Sequence, residues 1–307
     1  MCYSAMVWQD YYKYVGAFGA DISIKEFVRL YKIRGEKGGV IIPRGMDAAV
    51  ARPRSPDEFE ILTAINQRRP AEEARLREVI AVQTARLESA SAKLAIKPTK
   101  SAANDVRVAT KKIHDAQVSL ADLSRTSPSA SDCRIFSRHY APVMVIADGK
   151  RLVRPMRYLL RPFYATPEWD RDRQGAYNAR RDSLATTWRG VFGVTHGVVA
   201  AQRFYEHVDR GGRDVILEFE PADHSDMLVA CLWSTWRGTG GEELTSFAFI
   251  TDEPPPEVAA AGHDRCPIPL KAEHIDAWLT PQGRSPEELF GLLDDRHRPF
   301  YEHREAA

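Results

Sequence analysis

The stretch HGVVAAQRFYEHV, residues 196–208, combines an apolar run, two aromatic residues and then a glutamate and a histidine. Such runs, rich in β-branched and aromatic residues and bounded by Gly, Pro and Asp, are typical of β-strands. Similar runs lie on both sides of it: APVMVIAD (141–148), MRYLL (156–160), DMLVACLWSTW (226–236) and LTSFAFIT (244–251). The sequence from Arg134 onward therefore predicts a mostly antiparallel sheet.

Helical patterns flank this region. Residues 21–35 read as an amphipathic helix, and residues 285–296 as a capped one. Residues 55–69 predict a further helix, with Ser55 as N-cap, Pro56 at the first helical position and Glu58 at the capping-box position. The predicted fold class is α+β, a mostly antiparallel β core with peripheral helices.

Two heptad stripes on either side of Pro98 predict an antiparallel helical hairpin. The first stripe comprises Leu76, Ile80, Gln83, Leu87, Ala90 and Leu94, and the second Val106, Ala109, Ile113, Ala116, Leu120 and Leu123. One interpretation is a solvated insertion that packs on itself. The alternative is an arm for DNA or for a replication or repair protein, which Lys93, Lys97 and Lys100 favour. We expect a single domain, 1–307, interrupted by this hairpin at 70–127.

The bulk composition of the 307 residues is ordinary, with 44% apolar and 28% charged residues and a net charge of +1. A nucleic-acid surface would have to be a local patch. The four cysteines form no CxxC pair, which argues against a zinc site or a disulfide framework. With no signal peptide or membrane span in the sequence, we expect a cytoplasmic monomer without metal or cofactor.

The second residue of the chain is a cysteine. If Met1 is removed, Cys2 carries a free α-amine, with a reference pKa of ~7.7–8.0, next to a thiol of ~8.5. Such a 1,2-aminothiol can condense with an aldehyde through nitrogen and then close a ring through sulfur. On its position alone, chance is the simpler explanation for this cysteine.

Three other polar residues stand beside aromatic-rich runs: Asn178, Glu206 and His263. Each has an ordinary explanation when it is taken singly. Asn178 can cap a turn, Glu206 can lie on the surface, and His263 can be a hydrogen-bonded loop histidine.

Taken together and in this order, these motifs resemble the SRAP family, the SOS-response-associated peptidase proteins, which shield abasic sites in DNA. The four motifs are MC (1–2), NAR (178–180), RFYEHV (203–208) and HDRCP (263–267). Supporting matches are MRYLLRPFY (156–164), VACLWSTW (229–236), SFAFIT (246–251) and AWL (277–279). The resemblance covers residues 1–11 and about 134–280, and it implies the SRAP type of β core.

The chain departs from the family pattern at four positions. Tyr3 and Ser4 stand where the family usually has Gly-Arg, so a phosphate contact is lost. His207 replaces a tryptophan, and Cys266 replaces a methionine. These changes affect the expected DNA affinity and strand preference more than the covalent step.

The resemblance implies that the protein senses abasic sites in single-stranded DNA. Cys2 would form a thiazolidine crosslink, with accompanying lyase or autopeptidase activity. Glu206 and His263 would move protons, and Asn178 would orient the intermediate. The flanking phosphates would be held by Arg180, Arg181 and Arg161. A bacterial, nucleoid-associated protein is expected when DNA is bound.

Two other classes of function stay open. One is a cysteine peptidase of the N-terminal-nucleophile kind, in which Cys2 attacks a peptide carbonyl. The other is a non-covalent single-stranded DNA-binding module, in which Cys2 has no role. Blocking the N-terminus should spare only the non-covalent module.

Overall fold

The computed structural model describes residues 3–36, 40–125 and 127–306. Cys2, the predicted nucleophile, lies outside them. The helices are α1 Tyr11–Phe18, α2 Ile24–Glu36, α3 Arg44–Ala49, α4 Pro56–Ile96, α5 Lys100–Ser124, α6 Trp169–Asp172, α7 Pro256–Ala260, α8 Ile275–Leu279 and α9 Pro286–Asp294. The strands are β1 Ser4–Val7, β2 Asp21–Ile22, β3 Arg134–Phe136, β4 Tyr140–Ala147, β5 Lys150–Tyr158, β6 Asn178–Arg180, β7 His196–Asp209, β8 Asp214–Pro221, β9 Met227–Arg237, β10 Glu243–Asp252, β11 Cys266–Pro267, β12 Pro269–Leu270 and β13 Tyr301–Glu305.

Five of these strands close on themselves as a ring in the order β7, β9, β10, β5, β4 and back to β7. The ring closes because β4 pairs with β7 at Met144 and Val198, while β10 runs parallel to β5. Among the strands that the structure describes, the pairings other than β2–β5, β5–β10 and β6–β10 are antiparallel. The predicted α+β class with an antiparallel-rich core is confirmed.

Strand β7 takes part in two sets of pairings. Its first half, 196–201, pairs with β9 inside the ring, whereas its second half pairs with β1 and β8. Between the halves the register against β1 shifts, because Val7 faces Ala201 but Met6 faces Arg203. The extra residue, Gln202, is exposed and forms a β-bulge. The bulge marks the point where β7 leaves the ring and carries Glu206 toward the chain's first strand.

The interior of the ring is filled by aromatic side chains. Tyr158, Phe247 and Phe249 are fully buried, and the Tyr158 ring centroid lies 5.1 Å and 4.9 Å from the other two. Burying each such side chain stabilises the fold by about 1.5–3 kcal/mol. At the ring's end, Trp278 of α8 stacks on the buried His196 at 3.9 Å. The buried side chains that alternate along these strands therefore form one continuous core.

The predicted helix over 55–69 does not end where we expected. Its N-cap is as predicted, since Ser55 Oγ accepts a hydrogen bond from the Glu58 amide at 3.3 Å. The Glu58 carboxylate, predicted at the capping-box position, instead accepts hydrogen bonds from the Arg54 amide and from the hydroxyls of Tyr11 and Tyr12. However, the helix continues through Pro70 to Ile96 as one 41-residue element. A proline inside a helix costs ~3 kcal/mol, and here the packing stripe that begins at Leu76 outweighs that cost.

The chain divides into two compact units, Met1–Glu58 with Ser129–Ala307, and Phe59–Pro128. Within the second unit, every residue of the two predicted stripes is buried or half-buried. Ala102, Ala109 and Ala116 of α5, seven residues apart, are among the most buried. Arg86 bonds Asp105 across the two helices at 2.6 Å. The predicted antiparallel packing is confirmed, whereas the single-domain interpretation stays a prediction.

Candidate active site

Glu206 lies in the second half of β7, between β1 and β8, and its side chain is completely buried. The alternative of a surface position is therefore excluded. The amide of Tyr3, at the start of the described chain, donates to Glu206 Oε2 at 3.2 Å and to the Tyr205 carbonyl at 3.0 Å. A buried carboxyl group thus lies against the backbone of the residue that follows Cys2.

His263 reaches the same carboxyl group from the loop after α7. Gly262 has φ +100°, in the region that favours glycine, and a Cβ there would lie 2.8 Å from Val208 Cγ1. This close approach brings His263 Nε2 within 3.2 Å of Glu206 Oε2. The two motifs, 57 positions apart in the printed sequence, therefore share one buried contact.

The protonation of this pair follows from burial and geometry. Burial raises the pKa of Glu206 well above its ordinary value, and burial also lowers the pKa of His263. The Nδ1 of His263 lies 3.0 Å from the Arg265 carbonyl and 3.3 Å from the Arg265 amide nitrogen. Nδ1 thus faces both an acceptor and a donor of the Arg265 backbone. Through Nε2 the neutral imidazole can accept a hydrogen bond from the protonated Glu206. The pair then holds a transferable proton at Glu206.

The Asn178 motif and the HDRCP motif lie on opposite edges of β10. Strand β6 runs parallel to β10 and sets Asn178 opposite Phe249 and Arg180 opposite Thr251, while β11 pairs with Thr251 through Pro267. Asn178 is buried. A small depression joins the NAR and HDRCP motifs and is lined by Arg180, Arg181, Asp182, Thr251, Asp252, Glu253, Asp264 and Arg265. Arg265 was not among the residues that we singled out, although its motif contains it.

The three predicted phosphate-binding arginines have different environments. Arg180 is half exposed and pairs with Asp182 at 2.6 Å. Arg181 pairs with Asp294 at 2.6 Å and lies over the Phe290 ring.

Arg161 is the most enclosed of the three. Its side chain is 11% exposed and forms two hydrogen bonds with Asp170, at 3.0 Å and 2.6 Å, beneath the Trp236 ring. Of the three arginines, Arg180 is the most accessible to a ligand.

The residues that depart from the family pattern have contacts of their own. The Tyr3 ring lies 4.3 Å from the ring of His207, and His207 bonds Asp214 at 2.8 Å. Ser4 Oγ accepts a hydrogen bond from Arg134 Nε at 2.9 Å. No local signal pointed to Arg134, because the pairing of β1 with β3 brings it there. Arg134 of the neighbouring strand β3 thus lies beside position 4, where the family usually has an arginine.

Across the described ranges, no group of three or more His, Cys, Asp or Glu side chains is arranged to hold a metal ion. Cys231 and Cys266 are buried, and burial raises the pKa of both thiols. Among the helices that the structure describes, none combines the length and apolarity needed to cross a membrane.

Comparisons with known proteins confirm the family resemblance. The family model described as SOS response associated peptidase (SRAP) matches residues 93–304. The abasic site processing protein YoaM of Bacillus subtilis (strain 168) is 28% identical over 133 residues. That match covers 41% of this chain and 58% of YoaM, less than two thirds of that relative's length.

Solved structures show a similar fold. A protein from Bacteroides thetaiotaomicron superposes with a TM-score of 0.50 at 20% identity, over 57% of this chain and 78% of its own. A protein from Bordetella bronchiseptica gives a TM-score of 0.48 at 20% identity, over 57% of this chain and 87% of its own.

Proposed function

The chain belongs to the SRAP family, and from that membership we propose that it recognises abasic sites in single-stranded DNA and crosslinks to them through Cys2. The contact that carries this proposal is the one between the Tyr3 amide, Glu206 and His263. Tyr3 follows Cys2 in the sequence, so the proton-transfer pair contacts the backbone of the proposed nucleophile's neighbour. The name of YoaM, an abasic site processing protein, supports the same substrate.

The proposed reaction starts from the ring-opened aldehyde of the abasic sugar. After Met1 is removed, the α-amine of Cys2 adds to the aldehyde carbon and gives a carbinolamine. Glu206 donates its proton to the departing hydroxyl, and water leaves as the Schiff base forms. The sulfur of Cys2 then adds to the same carbon and closes a thiazolidine, so that amine, thiol and aldehyde give the ring and one water. His263 serves the opening of the closed sugar.

The proposed DNA contacts centre on Arg180 and the depression beside it. A phosphate bound there has to displace Asp182, which holds Arg180 in an exposed ion pair. Asn178 orients the intermediate by hydrogen bonding. Arg181 and Arg161 stay predicted phosphate ligands, and both are already held by carboxylates. The exposed rings of Phe163 and Tyr164 offer sequence-independent stacking.

The first experiment incubates the protein with a short single-stranded oligonucleotide that contains one abasic site. We expect an adduct that survives denaturation, formed by protein whose intact mass shows loss of Met1. Cys2→Ser should give no stable adduct but should still be trapped by borohydride, because a serine amine can form the Schiff base. A retained Met1 in protein that crosslinks would contradict the mechanism.

Two matched substitutions test the DNA contact. Arg180→Gln should weaken binding of the abasic strand, whereas Asp182→Asn should strengthen it by releasing Arg180. Equal affinities in both variants and the wild type would remove Arg180 from the site.

The family is described as a peptidase family, which suggests a second candidate function. In that case the protein is a peptidase that uses the same Cys2. A peptide substrate gains little from Arg180, so Arg180→Gln should leave peptide cleavage unchanged. Acetylating the N-terminus separates both covalent mechanisms from simple binding, which should survive. We further propose that the protein is a monomer in the bacterial cytoplasm and that it associates with the nucleoid when it is bound to DNA.

A further inference from the structure

The hairpin tip, residues 93–112, carries an excess of positive charge that the protein as a whole lacks. It contains six basic residues and one acidic residue, whereas the net charge of the whole chain is +1. All six are exposed: Lys93, Lys97, Lys100, Arg107, Lys111 and Lys112. The acidic residue, Asp105, is bonded to Arg86 of the facing helix. The charge at the tip is therefore concentrated and open to solvent.

The basic residues also lie on defined helix faces. Lys100, Arg107 and Lys111 are seven and four positions apart along α5, which puts them on one stripe at 3.6 residues per turn. That stripe is about 16 Å long at 1.5 Å per residue. Along one DNA strand, the same length spans about five phosphates at ~3.4 Å each. On α4, Lys93 and Lys97 form a second pair one turn apart.

The contacts at the tip distinguish it from the rest of the hairpin. Further back on α4, the basic residues are neutralised, since Arg75 pairs with Glu72 and Arg77 with Glu73 at 2.6 Å. Lys93, Lys97 and Lys100 have no carboxylate partner among the residues that the structure describes, whereas Lys111, at the base of the tip, pairs with Asp115 at 2.9 Å. Unneutralised lysines on a rigid helical pair fit a polyanion better than they fit a mixed protein surface.

We propose that the hairpin tip binds the phosphate backbone of DNA, as a second contact separate from the depression around Arg180. The choice of DNA over an acidic protein rests on the proposed function, whereas the charge and exposure of the tip do not. Binding of this kind is independent of sequence and releases counterions.

The test compares two triple variants with the same change in charge. One is Lys93→Gln with Lys97→Gln and Lys100→Gln, and its control is Arg68→Gln with Arg75→Gln and Arg77→Gln. The control removes three charges from the same unit, where glutamates already pair with them. Both sets are carried on Cys2→Ser, so that only non-covalent binding is measured, and circular dichroism checks the helix content.

Affinity for an undamaged 30-nucleotide strand is measured by fluorescence anisotropy over a range of KCl concentrations. The tip variant should reduce the slope of log K against log[salt] by about 2, at ~0.7 per lost phosphate contact on a single strand. The control should keep the parent slope. An unchanged slope in the tip variant would overturn the proposal and leave a protein partner as the remaining explanation. Adduct formation by the wild type is measured separately, so failure of the crosslinking chemistry would not be mistaken for failure of the tip.

Discussion

At the scale of single residues, the Glu206–His263 pair is the most informative feature of the molecule. Burial drives both side chains toward their neutral forms, and Glu206 Oε2 lies 3.2 Å from His263 Nε2, within hydrogen-bond distance. A protonated carboxyl group beside the start of the chain is suited to donate a proton to a departing hydroxyl. Substitutions of Glu206 and of His263 should therefore have different effects on the reaction.

Glu206→Gln keeps the shape and hydrogen-bonding reach of the side chain but cannot transfer the proton. Crosslinking should slow by about 10²–10⁴-fold, the usual span for a general acid or base. His263→Ala should slow both formation and reversal, so adducts persist longer once they are made. Gel-based time courses measure both directions, with Glu220→Gln, a carboxylate on the adjacent strand bonded to Arg203, as control. A wild-type rate for Glu206→Gln would require the two roles to be exchanged.

His196 should make the stability of the fold depend on pH. Burial lowers its pKa to about 3, against ~6.5 in an unfolded chain. Between these values the unfolded state binds the extra proton, so stability present above pH 6.5 is lost as the pH falls, by ~1.4 kcal/mol per pH unit. Urea unfolding from pH 6.5 to 5 should therefore show a shallower pH dependence for His196→Gln.

The control for this measurement is His303→Gln, which changes an exposed histidine of β13. It should keep the wild-type pH dependence. Identical pH dependence in the wild type and His196→Gln would mean that His196 does not resist protonation in the folded protein.

At the scale of elements, the helical hairpin buries small residues on one side of α5. Ala102, Ala109 and Ala116 recur every seven residues there. Because protein interiors are close-packed, a larger side chain at the fully buried Ala109 has to displace its neighbours.

Ala109→Leu should destabilise the hairpin by about 1–3 kcal/mol, since three added carbons have to be accommodated at a fully buried position. Ala103→Leu makes the same change at an exposed position of the same helix and should have little effect. Hydrogen exchange followed by mass spectrometry over residues 76–123 measures the difference. Equal protection in the two variants would show that α5 does not pack through Ala109.

At the scale of the whole molecule, the two units can be separated by experiment. Replacing residues 71–125 with a short Gly/Ser linker should leave crosslinking to a short abasic oligonucleotide largely intact, because Cys2, Glu206 and His263 all belong to the other unit. Adduct yield measures this, after circular dichroism has shown that the sheet is retained. Loss of crosslinking in a folded deletion variant would give the hairpin a role in supporting the site.

The sequence predicted those parts of the molecule whose signals are local. Alternating and heptad patterns located the strands from Arg134 onward and the hairpin, because burial of one face repeats at the period of each element. The contact of the Tyr3 amide with Glu206, the bulge at Gln202 and the closure of the ring were not predicted. They depend on which strands pair, and pairing partners far apart in sequence leave no local periodic signal.

The proline within α4 has a mechanical consequence. Pro70 offers no N–H to the carbonyl of Asn66, and its ring crowds that turn, so bending there strains one hydrogen bond fewer than elsewhere. From Pro70 to Ile96 the helix extends for about 39 Å at 1.5 Å per residue. A bend of about 5° at this turn therefore moves the far end by about 3 Å, while the segments on either side stay stiff. The helix therefore bends most easily at the turn of Pro70. A small thermal change of angle there becomes a displacement of several ångströms near Lys93 and Lys97.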